Sequence, residues 1–398
     1  MTDSRKPSNS FFPSIYICLV MIVAVSSCSD DPTVLNSPDP SSFIRTGIVI
    51  RDTTVTAVSD SSFKKVVPTI ARQTIVGRFG NYVALTALQF LQGSLPIRDT
   101  VQVLSATLRL RAVSWFGDST APLGFTVHKI SRGWTSFSLD WDSVHTAGFY
   151  EETPVRGSYS GPIMSDSEYV YIQLDTAMVR GWFATSTYTT NYGILLVPNA
   201  GTTVARGFTP FSILDSAQSY PRLEIISRGV IGGVRDTVRD SVGFSTFVAD
   251  INNLNSNPAL LYAQAGVVYR SILRFDLSGI PRGATIASAE LALERDPATT
   301  KLYKFTRDPV VAVHVLRSTD NSIFEVQGSL GRQNENTVNT FTFDVRHAVQ
   351  WWIKEPNYGF VLRGFDEFNS LDLYTFHGHL AADPTLKPKI KIKYVLER

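Results

Sequence analysis

Trp115 stands in a loop-like stretch after a strand, and Trp134 and Trp141 stand on a long crossover, where side chains can meet a ligand. A pyranose ring has a flat C–H face that packs on an indole, and the indole N–H adds a donor. These three are therefore candidate sugar contacts. Trp134 and Trp141 have an equally simple role as pins holding a long crossover to a sheet. Arg109 and Arg111 project from one side of an alternating segment, SATLRLR, so both guanidiniums share a face. A planar guanidinium grips a carboxylate by two parallel hydrogen bonds, which suits uronate groups. A solvated sheet face explains such a pair just as directly.

Other candidates carry less. Asp250, Asn252 and Asn255 could supply oxygens to a structural calcium ion. His377 and His379 flank a glycine, but a metal needs a third ligand and support behind it. Asp140, Asp142, Glu151 and Glu152 are acids without the paired setting that glycoside cleavage needs. The sequence has no phosphate-cradling glycine loop, nucleophile elbow or zinc helix motif. No cofactor is expected beyond that calcium ion, and the reading is non-enzymatic.

Composition narrows the class. The chain has 398 residues, 43% of them hydrophobic and 18% charged, enough for two or three cored domains. A formal net charge of +2 gives no field for nucleic acid, so any acidic ligand must meet a local patch. Two cysteines exclude a disulfide-stapled scaffold.

The N-terminus reads as an address. Arg5 and Lys6 precede Ile15–Val25 (IYICLVMIVAV), an apolar run of 11 residues. A spanning helix needs about 20 residues, so the run fits the core of a secretory signal instead. It ends in Val25-Ser26-Ser27-Cys28. An aliphatic residue, two small residues and a cysteine resemble a bacterial lipobox, with Cys28 as the lipidated residue. The expected parts are a lipoprotein signal peptide over 1–27 and a lipid-anchored tether over 28–45, rich in Ser, Asp and Pro. Cys18 leaves with the signal, and Cys28 takes the lipid. Ser29 in place of Asp points to the outer membrane, and Asp30-Asp31 is similar to acidic tracts of surface-exported lipoproteins.

Beyond the tether, period-2 alternation dominates. Ala106, Leu108 and Leu110 share one face, as do Ala289, Leu291 and Leu293, and Ile390, Ile392 and Tyr394. Such strands favour antiparallel sheets with one wet face. The sequence is also written twice. Leu88-Gln89-Phe90 matches Leu273-Arg274-Phe275, Ser105–Leu110 matches Ser288–Leu293, and Val127-His128 matches Val313-His314. Trp182 matches Trp351, Asn191-Tyr192-Gly193 matches Asn357-Tyr358-Gly359, and Pro221 matches Pro388. The units run over 46–228 and 229–398, joined at Gly229–Gly233. One short helix is expected in each, capped by Asp175 and by Asp344, the latter over Val345–Lys354.

Arg270–Leu293 (RSILRFDLSGIPRGATIASAELAL) resembles the core of the disaggregatase-related family, the DNRLRE domains. The Asp-capped turn ending in Trp, the Asn-Tyr-Gly and the closing strand after Pro are similar too. Unit one departs at Leu91-Gln92, where the family pattern has Asp-Leu. The resemblance implies an all-β chain of two tandem jelly-roll-type antiparallel β-sandwiches and a link to polysaccharide. Two readings of function stand together: a lipid-anchored envelope protein that binds polysaccharide without cutting it, and a structural or adhesive surface protein with an envelope protein partner. Cleavage of polysaccharide is a third.

Overall fold

Alternation of apolar and polar side chains does build sheets here, and strands make up 57% of the structure against 7% helix. The computed structural model describes residues 48–64, 73–90, 101–182, 190–210, 220–229, 235–251, 257–302, 310–318, 323–334, 337–365, 367 and 370–397. Residues 49–397 form one compact unit. The first sequence half contributes β1 (Ile48–Lys64), β2 (Thr74–Phe79), β3 (Tyr82–Phe90), β4 (Val101–Gly117), β5 (Leu123–Lys129), β6 (Gly157–Gly161), β7 (Tyr169–Gln173), β8 (Ile194–Pro198), β9 (Val204–Phe208) and β10 (Arg222–Gly229). The second contributes β11 (Arg235–Ile251), β12 (Leu260–Gln264), β13 (Tyr269–Phe275), β14 (Thr285–Glu294), β15 (Val310–Leu316), β16 (Ile323–Asn334), β17 (Thr337–Asp344), β18 (Phe360–Gly364), β19 (Leu373–His377) and β20 (Lys389–Glu397). The fold is all-β, with two large antiparallel sheets arranged as two β-sandwich-like bodies.

One sheet runs β1-β20-β14-β17-β16-β15-β18-β13-β12-β19, and β1 also pairs with β13, which closes a circuit. The other runs β11-β10-β4-β9-β2-β3-β8-β5-β6, with β7 beside β4 and a second closure between β11 and β3. The first long strand of each sequence half therefore completes the other half's sheet. Ala57 of β1 lies opposite Phe275 and is buried with Leu291, Phe343 and Ile392. Phe247 of β11 lies opposite Thr86 and is buried with Ile75, Tyr82 and Phe116. Each closure pairs a long strand that would otherwise end its sheet, and a free strand edge invites pairing with another chain.

The repeat is visible in three dimensions. Asn191 Oδ1 accepts from the Gly193 N–H at 2.9 Å while its Nδ2 donates to Phe90 O. Asn357 does the same with Gly359 at 3.0 Å and Phe275 O. Both glycines have positive φ, 89° and 101°, and a Cβ would strike Leu88 O or Leu273 O. Only glycine allows this turn to press against the neighbouring strand.

Among the described residues there are three short helices: α1 (Trp141–Val144), α2 (Thr176–Gly181) and α3 (Arg346–Trp352). Asp175 caps α2 by accepting from Ala177 N at 2.9 Å. Asp344 accepts from Arg346 N at 3.0 Å, but the cap position itself is Val345, so α3 begins one residue later than expected. The first half holds a second helix beyond the single one expected. Asp140 accepts from Ser143 N at 2.7 Å and turns the chain through the four residues of α1. Trp182 and Trp352 fill the two cores, whereas Trp351 is only half-buried.

Candidate ligand-binding cavity

The hairpin between β2 and β3 sets the first wall of a cavity. Phe79 and Tyr82 are a cross-strand pair on either side of the Gly80 turn, and their rings stack at 6.2 Å with 14° between planes. The end of β4 supplies the second wall, Trp115 and Phe116, followed by Gly117 and Asp118. Lys301, Leu302 and Leu371 come from the second sequence half. Together these nine residues enclose about 380 Å³, within the range of roughly 300–1,000 Å³ usual for small-ligand sites.

Each wall is held from behind. Phe116, Tyr82 and Leu371 belong to one buried cluster with Ile75, Phe247 and Val267, and Phe79 packs against it. Trp115 lies opposite Arg206 on β9, whose guanidinium sits 5.6 Å from the indole centroid. Arg206 is itself buried and donates to Ser119 O and Ile163 O, which anchors the loop after Trp115. Gly117, at φ 92°, leaves no room for a side chain: a Cβ would lie 2.7 Å from Phe79 Cδ2. The two aromatic walls meet at that point.

Polar groups sit at the rim. Asp118 accepts from Thr120 N at 2.8 Å and Thr120 Oγ1 at 2.7 Å, and the hydroxyl bond, then the amide, hold its carboxyl below the usual range. It is thus an ionised acceptor at neutral pH. Lys301 is an exposed ammonium on a backbone bridge to Leu373. Burial, with the charge of Asp372 adding to it, pushes the Tyr82 phenol well above its ordinary value, so Tyr82 remains an O–H. An aromatic slot with an anionic acceptor and a cationic donor at its mouth suits a ligand with flat C–H faces and many hydroxyls.

Trp115 is the expected sugar contact that lines this cavity. Trp134 lies elsewhere, only 8% exposed, with Nε1 donating to Tyr192 O at 2.7 Å. Trp141 packs half-buried against the cluster that Trp134 forms with Val83, Leu85 and Leu195, its ring 4.3 Å from that of His145. Arg109 and Arg111 lie on the outer face of β4, where the Arg109 guanidinium sits 4.8 Å from the Tyr169 ring centroid. Asp250 receives Lys64 Nζ at 2.9 Å, while Asn252, Asn255 and Cys28 lie outside the described residues. Among the described residues no three His, Cys, Asp or Glu side chains gather as a metal site needs. His379 instead lies 2.9 Å from Asp60 of β1. Glu151 pairs with Lys129 and Arg156, and Arg156 also holds Asp175.

Sequence reading passed over Phe79, Tyr82, Lys301 and Leu371. Gly80 and Asn81 are turn-forming residues between two apolar runs, and a turn there places its flanking aromatics face to face. That signal was present. Nothing local ties Lys301 or Leu371 to Trp115.

No family model matches the chain, and no curated protein is significantly similar to it. Among solved structures, "Structure of the Macrobrachium rosenbergii Nodavirus" aligns at 9% identity over 88% of this chain and 90% of that one, with a TM-score of 0.14. That value is too low to carry an argument. No helix among the described residues is long and apolar enough to cross a membrane.

Proposed function

We propose that this protein is a lipid-anchored component of the bacterial cell envelope, at the outer membrane, that binds polysaccharide without cutting it. The observation that carries the reading is the cavity of Phe79, Tyr82, Trp115 and Phe116 with Asp118 and Lys301 at its rim. Aromatic rings give stacking surface to sugar rings, and the rim charges meet hydroxyls. Among the described residues the lining offers one carboxylate, Asp118, where hydrolysis by the usual route uses two. Val25–Cys28 supports the anchor. Affinity electrophoresis of the full chain in non-ionic detergent tests the reading, in gels holding alginate, pectin, chondroitin, xylan or no polymer. Retardation in at least one polymer gel is expected. Free migration in all of them overturns the reading and favours a structural or adhesive role with a protein partner.

A further inference from the structure

The two long strands that close the sheets occupy equivalent places and are held differently. Ala57 of β1 lies opposite Phe275 and Ser59 opposite Arg274, with a register shift between them. Val242 of β11 lies opposite Phe90 and Phe244 opposite Gln89, with the same shift. Arg274 and Phe275 are the repeat counterparts of Gln89 and Phe90. Each long strand also lies beside the last strand of the half it completes, β11 beside β10 and β1 beside β20. Strand β1 is therefore to the second sandwich what β11 is to the first.

Two things fix β11 that do not fix β1. The first is covalent. Five residues separate Gly229 of β10 from Arg235 of β11, so the chain itself delivers β11 to its neighbour. Strands β20 and β1 lie at opposite ends of the element order, and their pairing has no such link. The second is apolar burial. Thr246, Phe247, Val248 and Ala249 of β11 are all buried, with Phe247 among Ile75, Tyr82 and Phe116. Their counterparts Ser61, Ser62 and Lys64 of β1 are exposed, and Phe63 is half-buried. Among the described residues of β1, Ala57 is the one apolar side chain that is buried. The rest of the hold is backbone pairing and polar contact. Asp60 lies 2.9 Å from His379 Nδ1, Ser62 Oγ 2.7 Å from Ser271 Oγ, and Lys64 Nζ donates to Asp250 at 2.9 Å. Water replaces such bonds at small net cost, whereas baring a buried Phe and Val forfeits their whole transfer energy.

We infer that the edges of β20 and β13 beneath β1 are an interaction site for β1 of a second copy of this chain. Strand β1 leaves its own second sandwich and completes the neighbour's in the same antiparallel register, while β11 stays in place. The contacts between copies are those already made within one chain, so the exchange needs no new complementarity. Donation by both copies is reciprocal and closes a pair. Addition of a strand to an open edge draws its affinity from main-chain hydrogen bonds, which is how β1 is held. Cys28, read as the anchor, precedes β1 by 20 residues and would keep donors and acceptors at one surface, which raises their effective concentration. The inference does not depend on the cavity around Trp115.

The test mixes two single variants of the full chain in non-ionic detergent, Ser62→Cys and Ser271→Cys. These side chains face each other across β1 and β13. In the mixture, a disulfide between positions 62 and 271 necessarily joins two chains. After incubation and oxidation, non-reducing gels should show a covalent dimer that neither variant forms alone and that reductant removes. Cys28 is common to every sample. Ser271 is buried and bonded to Tyr262, so Ser59→Cys mixed with Arg274→Cys, opposed at partly exposed positions, gives the same readout should Ser271→Cys not fold. The double variant Ser62→Cys, Ser271→Cys, oxidised when dilute, locks β1 in its own chain. It should remain monomeric in size exclusion at concentrations where the parent pairs. Equal dimer in the mixtures and in the single variants would mark random collision and overturn the inference. So would the absence of mixed dimer from both pairs, a parent that is monomeric at every concentration, or pairing that survives the lock.

Discussion

Phe247→Ala tests the exchange of long strands between the two sheets. Phe247 is 1% exposed and belongs to β11, a strand of the second sequence half. Its ring is buried with Ile75, Tyr82, Ala84, Phe116 and Ala205, all of the first half. Truncating a fully buried Phe removes its transfer energy and leaves a cavity, costing about 3–5 kcal/mol. At about 2–4 °C per kcal/mol for bodies of this size, Tm should fall by roughly 6–20 °C. Phe244 is the internal control, three residues away on the same strand but 50% exposed. Phe244→Ala should stay within about 0.5 kcal/mol of the parent. Hydrogen exchange then reports where the damage goes. Amides of β3, paired with β11, should lose protection, while those of β14 and β20 keep theirs. Loss of protection in β14 with β3 unchanged, or equal effects of the two substitutions, would refute the exchange.

Three more outcomes follow from named groups. The Glu151 and Asp175 carboxyls work against burial, but the hydrogen bonds from Arg156 outweigh it and hold both below their ordinary values of 4.5 and 3.8. Depressed folded values mean stability that is present at neutral pH and lost as pH falls through those values, so thermal scans should show Tm dropping below about pH 4.5, and Arg156→Gln should flatten that drop. Glu367 is fully buried and accepts from Arg270 at 2.9 and 2.7 Å and from Arg363 at 3.2 Å. Glu367→Gln leaves those cations short of a charge partner and should cost about 3–5 kcal/mol in denaturant titrations. Cys28→Ser should abolish incorporation of labelled palmitate and release the protein from the membrane fraction; labelling that persists contradicts the anchor.

Much of the sheet structure was legible in the sequence. Ala106, Leu108 and Leu110 are buried in alternation with half-exposed Thr107 and Arg109, as period 2 requires. The Asn-Tyr-Gly turns matched between the halves because each needs a glycine at the same close approach. The pairing of β1 with β13 was not legible, since alternation fixes which face a residue takes but not which strand lies beside it. Helix α1 was missed because four residues are too few to show a helical period. In the cavity, Trp115 stood out as an indole placed where a side chain can meet a ligand. Its partners did not, because Phe79 and Lys301 are separated from it by pairings that local pattern does not encode. For Arg109 and Arg111 alternation shows the shared face but not the tyrosines of β7 that lie across from them.

The most direct test of the central claim is the mobility of Trp115→Ala against the parent chain, in the polymer gel that retards the parent most. Loss of one aromatic stacking contact should weaken retention by about two- to tenfold. Since the indole is only half-buried, Tm should change little. Unchanged retention at unchanged Tm would contradict the assignment of this cavity as the sugar-binding site.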